Sequence, residues 1–197
     1  MRPLDAYTHN QADLASLMRD RIHYACGWNV MDGWLNVDGF DESYPHGRVD
    51  EERARRIYRT DLTAEHPFAS ESFRFGYAED FLEHLDQAEA LLFLCEAYRT
   101  LRKGGILRLS FPGLPGVLRR HLRSSDYQGA AACRQEAYTA WWHKHFFSAE
   151  ELETVARHIG FRRFAVVKYG KSKSPELCNL ETRPDQMDLN LICELTR

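Results

Sequence analysis

Apolar positions come in short bursts along this chain, some at the two-residue period of strands and some at the three-to-four spacing of helices. Residues 11–20 carry Leu14, Leu17 and Met18 at helical spacing after Asn10 and predict a short amphipathic helix. Residues 22–25, closed by Gly27, predict a first strand, and residues 34–38 a second. Only eleven residues separate Tyr24 from Asn36, so a parallel pairing leaves no room for a full crossover helix. Residues 56–61 read as a third strand, and residues 73–77 as a fourth that runs into residues 78–85. Between Asp86 and Lys103, Ala88, Leu91, Leu92, Cys95, Tyr98 and Leu101 recur at helical spacing, with acids leading, bases trailing and Gly104-Gly105 as the stop. Residues 106–110 form a fifth strand. Ser148 and Glu151 match a capping box ahead of Leu152, Val155, Ala156 and Ile159, and Gly160 marks that helix's exit. Residues 161–169 and 189–195 close the pattern as two strands, most simply an antiparallel pair.

Seven strands with helices between them predict an α/β fold, a mostly parallel sheet covered on both faces, with an antiparallel pair at the C-terminal end. At 197 residues and 23.0 kDa the chain suits one domain, read as 1–197 with residues 1–20 as an N-terminal helical segment. Two long connections, 111–147 and 170–188, are expected to lie over a substrate, the first as an acceptor cover. Sheets of this class take ligands beyond the carboxyl ends of their strands. A net charge of −3 excludes nucleic-acid binding through bulk charge. The longest apolar run, residues 90–95, is far short of a membrane span. With no apolar leader in the first ten residues, a cytoplasmic location is the expectation. The five cysteines are odd in number and never spaced Cys-X-X-Cys, which predicts free thiols, mostly buried.

Over residues 21–197 the chain resembles the class I S-adenosylmethionine-dependent methyltransferases, in particular a compact branch associated with polysaccharide and glycan biosynthesis. Tyr24-Ala25-Cys26-Gly27 is similar to that family's first motif, and Gly33-Trp34-Leu35-Asn36-Val37-Asp38 to the block that follows it closely in this branch. Asp61-Leu62 before Pro67-Phe68, the stretch from Phe73 to Leu85, Tyr98 through Ser110, and Trp142-His143-Lys144-His145-Phe146-Phe147-Ser148 match later blocks in order. The resemblance implies a Rossmann-like fold, S-adenosylmethionine as cofactor, and methyl transfer to an oxygen or nitrogen of a small or glycan-linked acceptor. It places Ala25, Cys26 and Gly27 around the methionine part, Asp38 on the ribose hydroxyls, Asp61 and Leu62 beside the adenine, and Ala78, Glu79 and Asp80 beside the sulfonium and the acceptor. Two positions depart from the pattern: Ala25 stands where the first glycine is usual, and Arg74 where the fourth strand often carries an acid. They keep a second reading open, a nucleotide-ligand module that has the fold without the turnover. A dinucleotide oxidoreductase is disfavoured, because residues 25–30 read Ala-Cys-Gly-Trp-Asn-Val rather than Gly-X-Gly-X-X-Gly.

A hydroxyl acceptor benefits from a base, and Asp80, His84, His143 and His145 are the candidates. His143 and His145 lie between Trp141-Trp142 and Phe146-Phe147, and with no cysteine or carboxylate at ligand spacing beside them no metal is expected. No acid occurs from Ala97 to Ser125, while Arg99, Arg102, Lys103, Arg108, Arg119, Arg120 and Arg123 accumulate. That run is either a solvated face or a steering patch for an anionic acceptor. A homo-oligomer is compatible with the sequence.

Overall fold

The computed structural model describes residues 11–39, 52 and 55–197. The first ten residues, which the sequence joins to an N-terminal helical segment, lie outside the described residues. Seven strands form one sheet: β1 (Arg21–Tyr24), β2 (Leu35–Asp38), β3 (Ile57–Arg59), β4 (Phe73–Glu79), β5 (Leu101–Pro112), β6 (Arg163–Val166) and β7 (Asn190–Thr196). Their order is β3-β2-β1-β4-β5-β7-β6, parallel except for β7, which runs antiparallel to both β5 and β6. The fold class is therefore as the sequence predicts, including the C-terminal pair.

The fully described α-helices that accompany the sheet are α1 (Gln11–Leu17), α2 (Gln87–Thr100), α3 (Leu114–His121), α4 (Tyr127–Cys133) and α5 (Ala149–Ile159). In α2 Asp86 accepts from the Glu89 amide and Glu89 reaches back to the Asp86 amide, a complete capping box. In α5 only half of the expected box forms. Ser148 accepts from the Glu151 amide, while the Glu151 carboxylate turns to His145 at 2.9 Å.

Two expectations are corrected. The buried stripe of α2 is Ala90, Phe93, Leu94 and Ala97, whereas Leu91 and Leu92 are exposed and Cys95 is an exposed thiol. Both stripes satisfy helical spacing; Phe93, set edge-on against Tyr24 of β1 at 5.2 Å, decides which one meets the sheet. Second, Gly104-Gly105 does not stop α2, which ends at Thr100 where β5 begins. The glycines absorb a bulge inside β5, whose pairing with β4 jumps from Phe73 opposite Leu101 to Phe75 opposite Ile106, with Gly104 at φ +78°.

Parallel pairing of β1 with both β2 and β4 brings the carboxyl ends of these strands together. The β1–β2 connection, residues 25–34, contains no helix. It is held by Asn36, whose amide accepts from the Met31 N–H at 2.8 Å and donates to the Met31 and Trp34 carbonyls at 3.0 and 3.1 Å. The connection 111–147 is not structureless but holds α3, α4 and further helical turns to Trp141. Among the described residues no helix is long and apolar enough to cross a membrane.

Candidate functional site

At the carboxyl end of β1 the chain turns through Ala25 at φ +47° and Gly27 at φ +51°, both in the left-handed region. A side chain at Gly27 would meet nothing within 4 Å, so the space above this turn is open. The Gly27 N–H donates to Asp38 Oδ2 at 2.7 Å, and the Cys26 N–H to the Val37 carbonyl at 3.0 Å, tying the turn to the end of β2. Burial pushes the Asp38 carboxyl up to about 6, against the opposing pull of the Gly27 and Gly39 amides. A carboxylate with lone pairs to spare beside an open glycine turn suits a ligand that brings paired hydroxyls. The residues present therefore fit the ribose of a nucleoside-linked donor. Cys26 is buried and its thiol is raised well above the usual range, mainly by burial, which makes it a packing residue rather than a nucleophile.

Past the end of β3, Asp61 is exposed and its Oδ1 accepts from the Thr63 amide and hydroxyl at 2.8 and 2.7 Å, an Asx turn, while Leu62 is packed in the core. At the end of β4, Ala78 is buried and Glu79 accepts from the Thr182 amide and hydroxyl, the shortest at 2.7 Å. Asp80, at φ +49°, accepts from Arg183 Nη1 at 3.2 Å. The loop 170–188 is thus docked on the end of β4. Burial, and then the neighbouring Glu79, raise Asp80 to about 6.

Residues Leu82–His84 form a single 3-10 turn that presents Glu83 and His84. The segment after Trp142 is strapped to it, because the Lys144 and His145 amides both donate to the Glu83 carbonyl, at 2.7 and 3.2 Å. His143 meets His84 edge-on with ring centroids 4.8 Å apart. Burial and the adjacent His143 lower His84 to about 4, and burial lowers His143, so both rings are neutral at pH 7. Glu83 is 1% exposed and its carboxyl is raised well above the usual range by burial, then by Asp80. The structure thus brings Asp80, His84 and His143 to one end of the sheet and adds Glu83, which sequence reasoning missed. Glu83 sits in a Leu-Glu-His turn where its neighbour His84 drew the attention; only the fold shows that it is buried against two histidines. His145 is instead bonded to Glu151 on α5 and packed edge-on against Phe147.

The basic run does not form one patch. Arg108 is fully buried between Glu181 and Glu194, Arg99 pairs with Glu96, Arg123 with Glu136, and Arg119 and Arg120 donate to the Asp188 and Asp185 carbonyls. Arg74 lies at the amino end of β4, opposite the site, so that departure bears on the far rim of the sheet. Trp141 and Trp142 are exposed, whereas Phe146 and Phe147 are core.

Residues 27–109 match the family model described as a methyltransferase domain. No curated protein matches the sequence. The fold is similar to an S-adenosylmethionine-dependent methyltransferase, possible histamine N-methyltransferase, of Thermotoga maritima, with 20% identity, TM-score 0.57, and 94% of this chain and 86% of that one covered. It is similar also to an S-adenosylmethionine-dependent methyltransferase of Mesorhizobium loti, with 16% identity, TM-score 0.59, and 95% and 96% covered. A third similar structure is the Haemonchus contortus phosphoethanolamine N-methyltransferase 2 in complex with S-adenosyl-L-methionine, with 16% identity, TM-score 0.54, and 94% of this chain but 51% of that one covered.

Proposed function

We propose that this chain is a class I S-adenosylmethionine-dependent methyltransferase, a reading supported by the methyltransferase domain matched over residues 27–109 and by its fold, and that it methylates an oxygen or nitrogen of a small or glycan-linked acceptor. The observation that carries the assignment of the donor site is the Gly27-to-Asp38 hydrogen bond, which sets an acid and an open left-handed turn side by side at the ends of β1 and β2. In this reading the open turn at Ala25, Cys26 and Gly27 wraps the methionine part of the donor, and Asp38 accepts both ribose hydroxyls through its remaining lone pairs. Asp61 and Leu62 flank the adenine, and Ala78 and Glu79 border the reacting centre. When bound, the donor supplies an electrophilic methyl on a sulfonium, whose leaving group needs no acid. The protein's share is then alignment, exclusion of water and removal of one proton from a hydroxyl or ammonium acceptor.

Asp80 is the best matched base. Raised to about 6, it is ionised at pH 7 yet basic enough to accept a proton, while His84 near 4 is a weaker acceptor. The segment 111–147 covers the acceptor, and the exposed indoles of Trp141 and Trp142 offer flat apolar faces suited to a sugar ring. Calorimetric titration with S-adenosylmethionine and its demethylated product tests the donor site. Asp38→Asn should weaken both by on the order of 2–3 kcal/mol, roughly 30- to 160-fold, with the circular dichroism unchanged. Equal affinity in a folded variant places the ribose elsewhere.

A further inference from the structure

We propose that Glu83, His84 and His143 form a binding site for one divalent transition-metal cation of the zinc class. Among the described residues these three offer one ligand atom each, all within 4.8 Å of one another. Nε2 of His84 and Nε2 of His143 both lie 4.0 Å from Glu83 Oε1. An ion between them sits roughly 2.5 Å from each atom, so a contraction of a few tenths of an ångström reaches zinc-to-ligand lengths.

Three further observations support a cation here. Both carboxylate oxygens of Glu83 are buried without a hydrogen-bond partner among the described residues, an arrangement that is costly for a carboxylate unless a cation compensates it. His143 Nδ1 lies 2.6 Å from the Ala137 carbonyl, so that nitrogen carries the proton and Nε2 presents its lone pair to Glu83; a ligating histidine is commonly oriented in this way. The His84 ring packs edge-on against that of His143, with centroids 4.8 Å apart, which restrains the second ring. The two histidines remain partly accessible, with side chains 35% and 12% exposed, which leaves a route for the ion. Two imidazoles and one carboxylate select zinc, cobalt or iron over magnesium, which prefers oxygen alone. Three protein ligands also leave a position for an exogenous oxygen. Because Asp80 adjoins the cluster at the end of β4, that oxygen belongs to the acceptor, a point that rests on the methyl transfer proposed above.

Cobalt(II) titrated into the metal-stripped full chain reads the site by visible absorption, with no dependence on acceptor or turnover. The expected result is one equivalent of bound cobalt, displaced by zinc and unaffected by millimolar magnesium. His143→Ala and Glu83→Gln should each weaken binding at least tenfold, while His158→Ala, on the exposed face of α5, leaves it unchanged. Acetohydroxamate should shift the cobalt spectrum by taking the open position. Absence of stoichiometric binding by the unmodified chain overturns the proposal, as does equal loss in His158→Ala, which would mark surface histidines only. An unshifted spectrum overturns the open position. Donor affinity measured on the same metal-stripped samples separates failure of this site from failure of the methyltransferase reading.

Discussion

Ala25 occupies a backbone conformation that glycine adopts freely and alanine does not. The left-handed region costs an L-residue roughly 1–2 kcal/mol, partly offset in a glycine variant by the larger entropy of the unfolded chain. Ala25→Gly should therefore stabilise the protein by about 0.5–1 kcal/mol, a rise of roughly 1–4 °C in melting temperature, with donor affinity retained. A lower melting temperature would show that the alanine methyl packs against something the strain argument ignores. At this scale the sequence was informative about identity and silent about state. Gly27 and Asp38 could be singled out because turn chemistry and charge follow from residue type. That Asp80 is held by Arg183, or that the Glu83 carboxylate has no hydrogen-bond partner among the described residues, depends on residues far away in the chain.

Elements were legible where a local signal settles them and misplaced where a neighbour does. The α5 boundaries follow from Ser148 and Gly160, whereas the choice between two apolar stripes on α2 belongs to the sheet beneath it. The connections 111–147 and 170–188 illustrate the second case, since their ends are locked to one another. Gly116 in α3 lies so close to Leu189 that an added Cβ would stand 2.1 Å from the Leu189 carbonyl oxygen. Gly116→Ala must therefore push α3 away from the segment leading into β7. We expect a loss of about 1–3 kcal/mol in urea denaturation and weaker acceptor binding as Arg119 and Arg120 lose their carbonyl partners. Unchanged stability would mean that α3 shifts freely and the two connections are uncoupled.

Across the whole molecule, one buried charge cluster joins the sheet to the loop that reaches the site. Arg108 on β5 faces Glu194 directly across on β7 and also pairs with Glu181, whose second oxygen accepts from the Gly170 amide at 2.9 Å. Arg108→Met would strand two buried carboxylates and should lower stability by about 3–5 kcal/mol, most of it recovered on adding Glu181→Gln and Glu194→Gln. A mild single effect, or no recovery, would show that the cluster is not a coupled unit. Sequence reading placed Arg108 in a basic run because periodicity carries no information about which face of a central strand meets an acid from another segment. The strand order has a further consequence, for the making of the protein. β7 is the last strand in chain order yet lies between β5 and β6, both of which precede it. While the chain is being synthesised, the outer edge of β5 therefore stays open and β6 has no strand to join. An exposed edge of apolar residues is a template for pairing with another chain, so the vulnerable moment in this protein's life is the interval after β5 has emerged and before β7 slides into the gap.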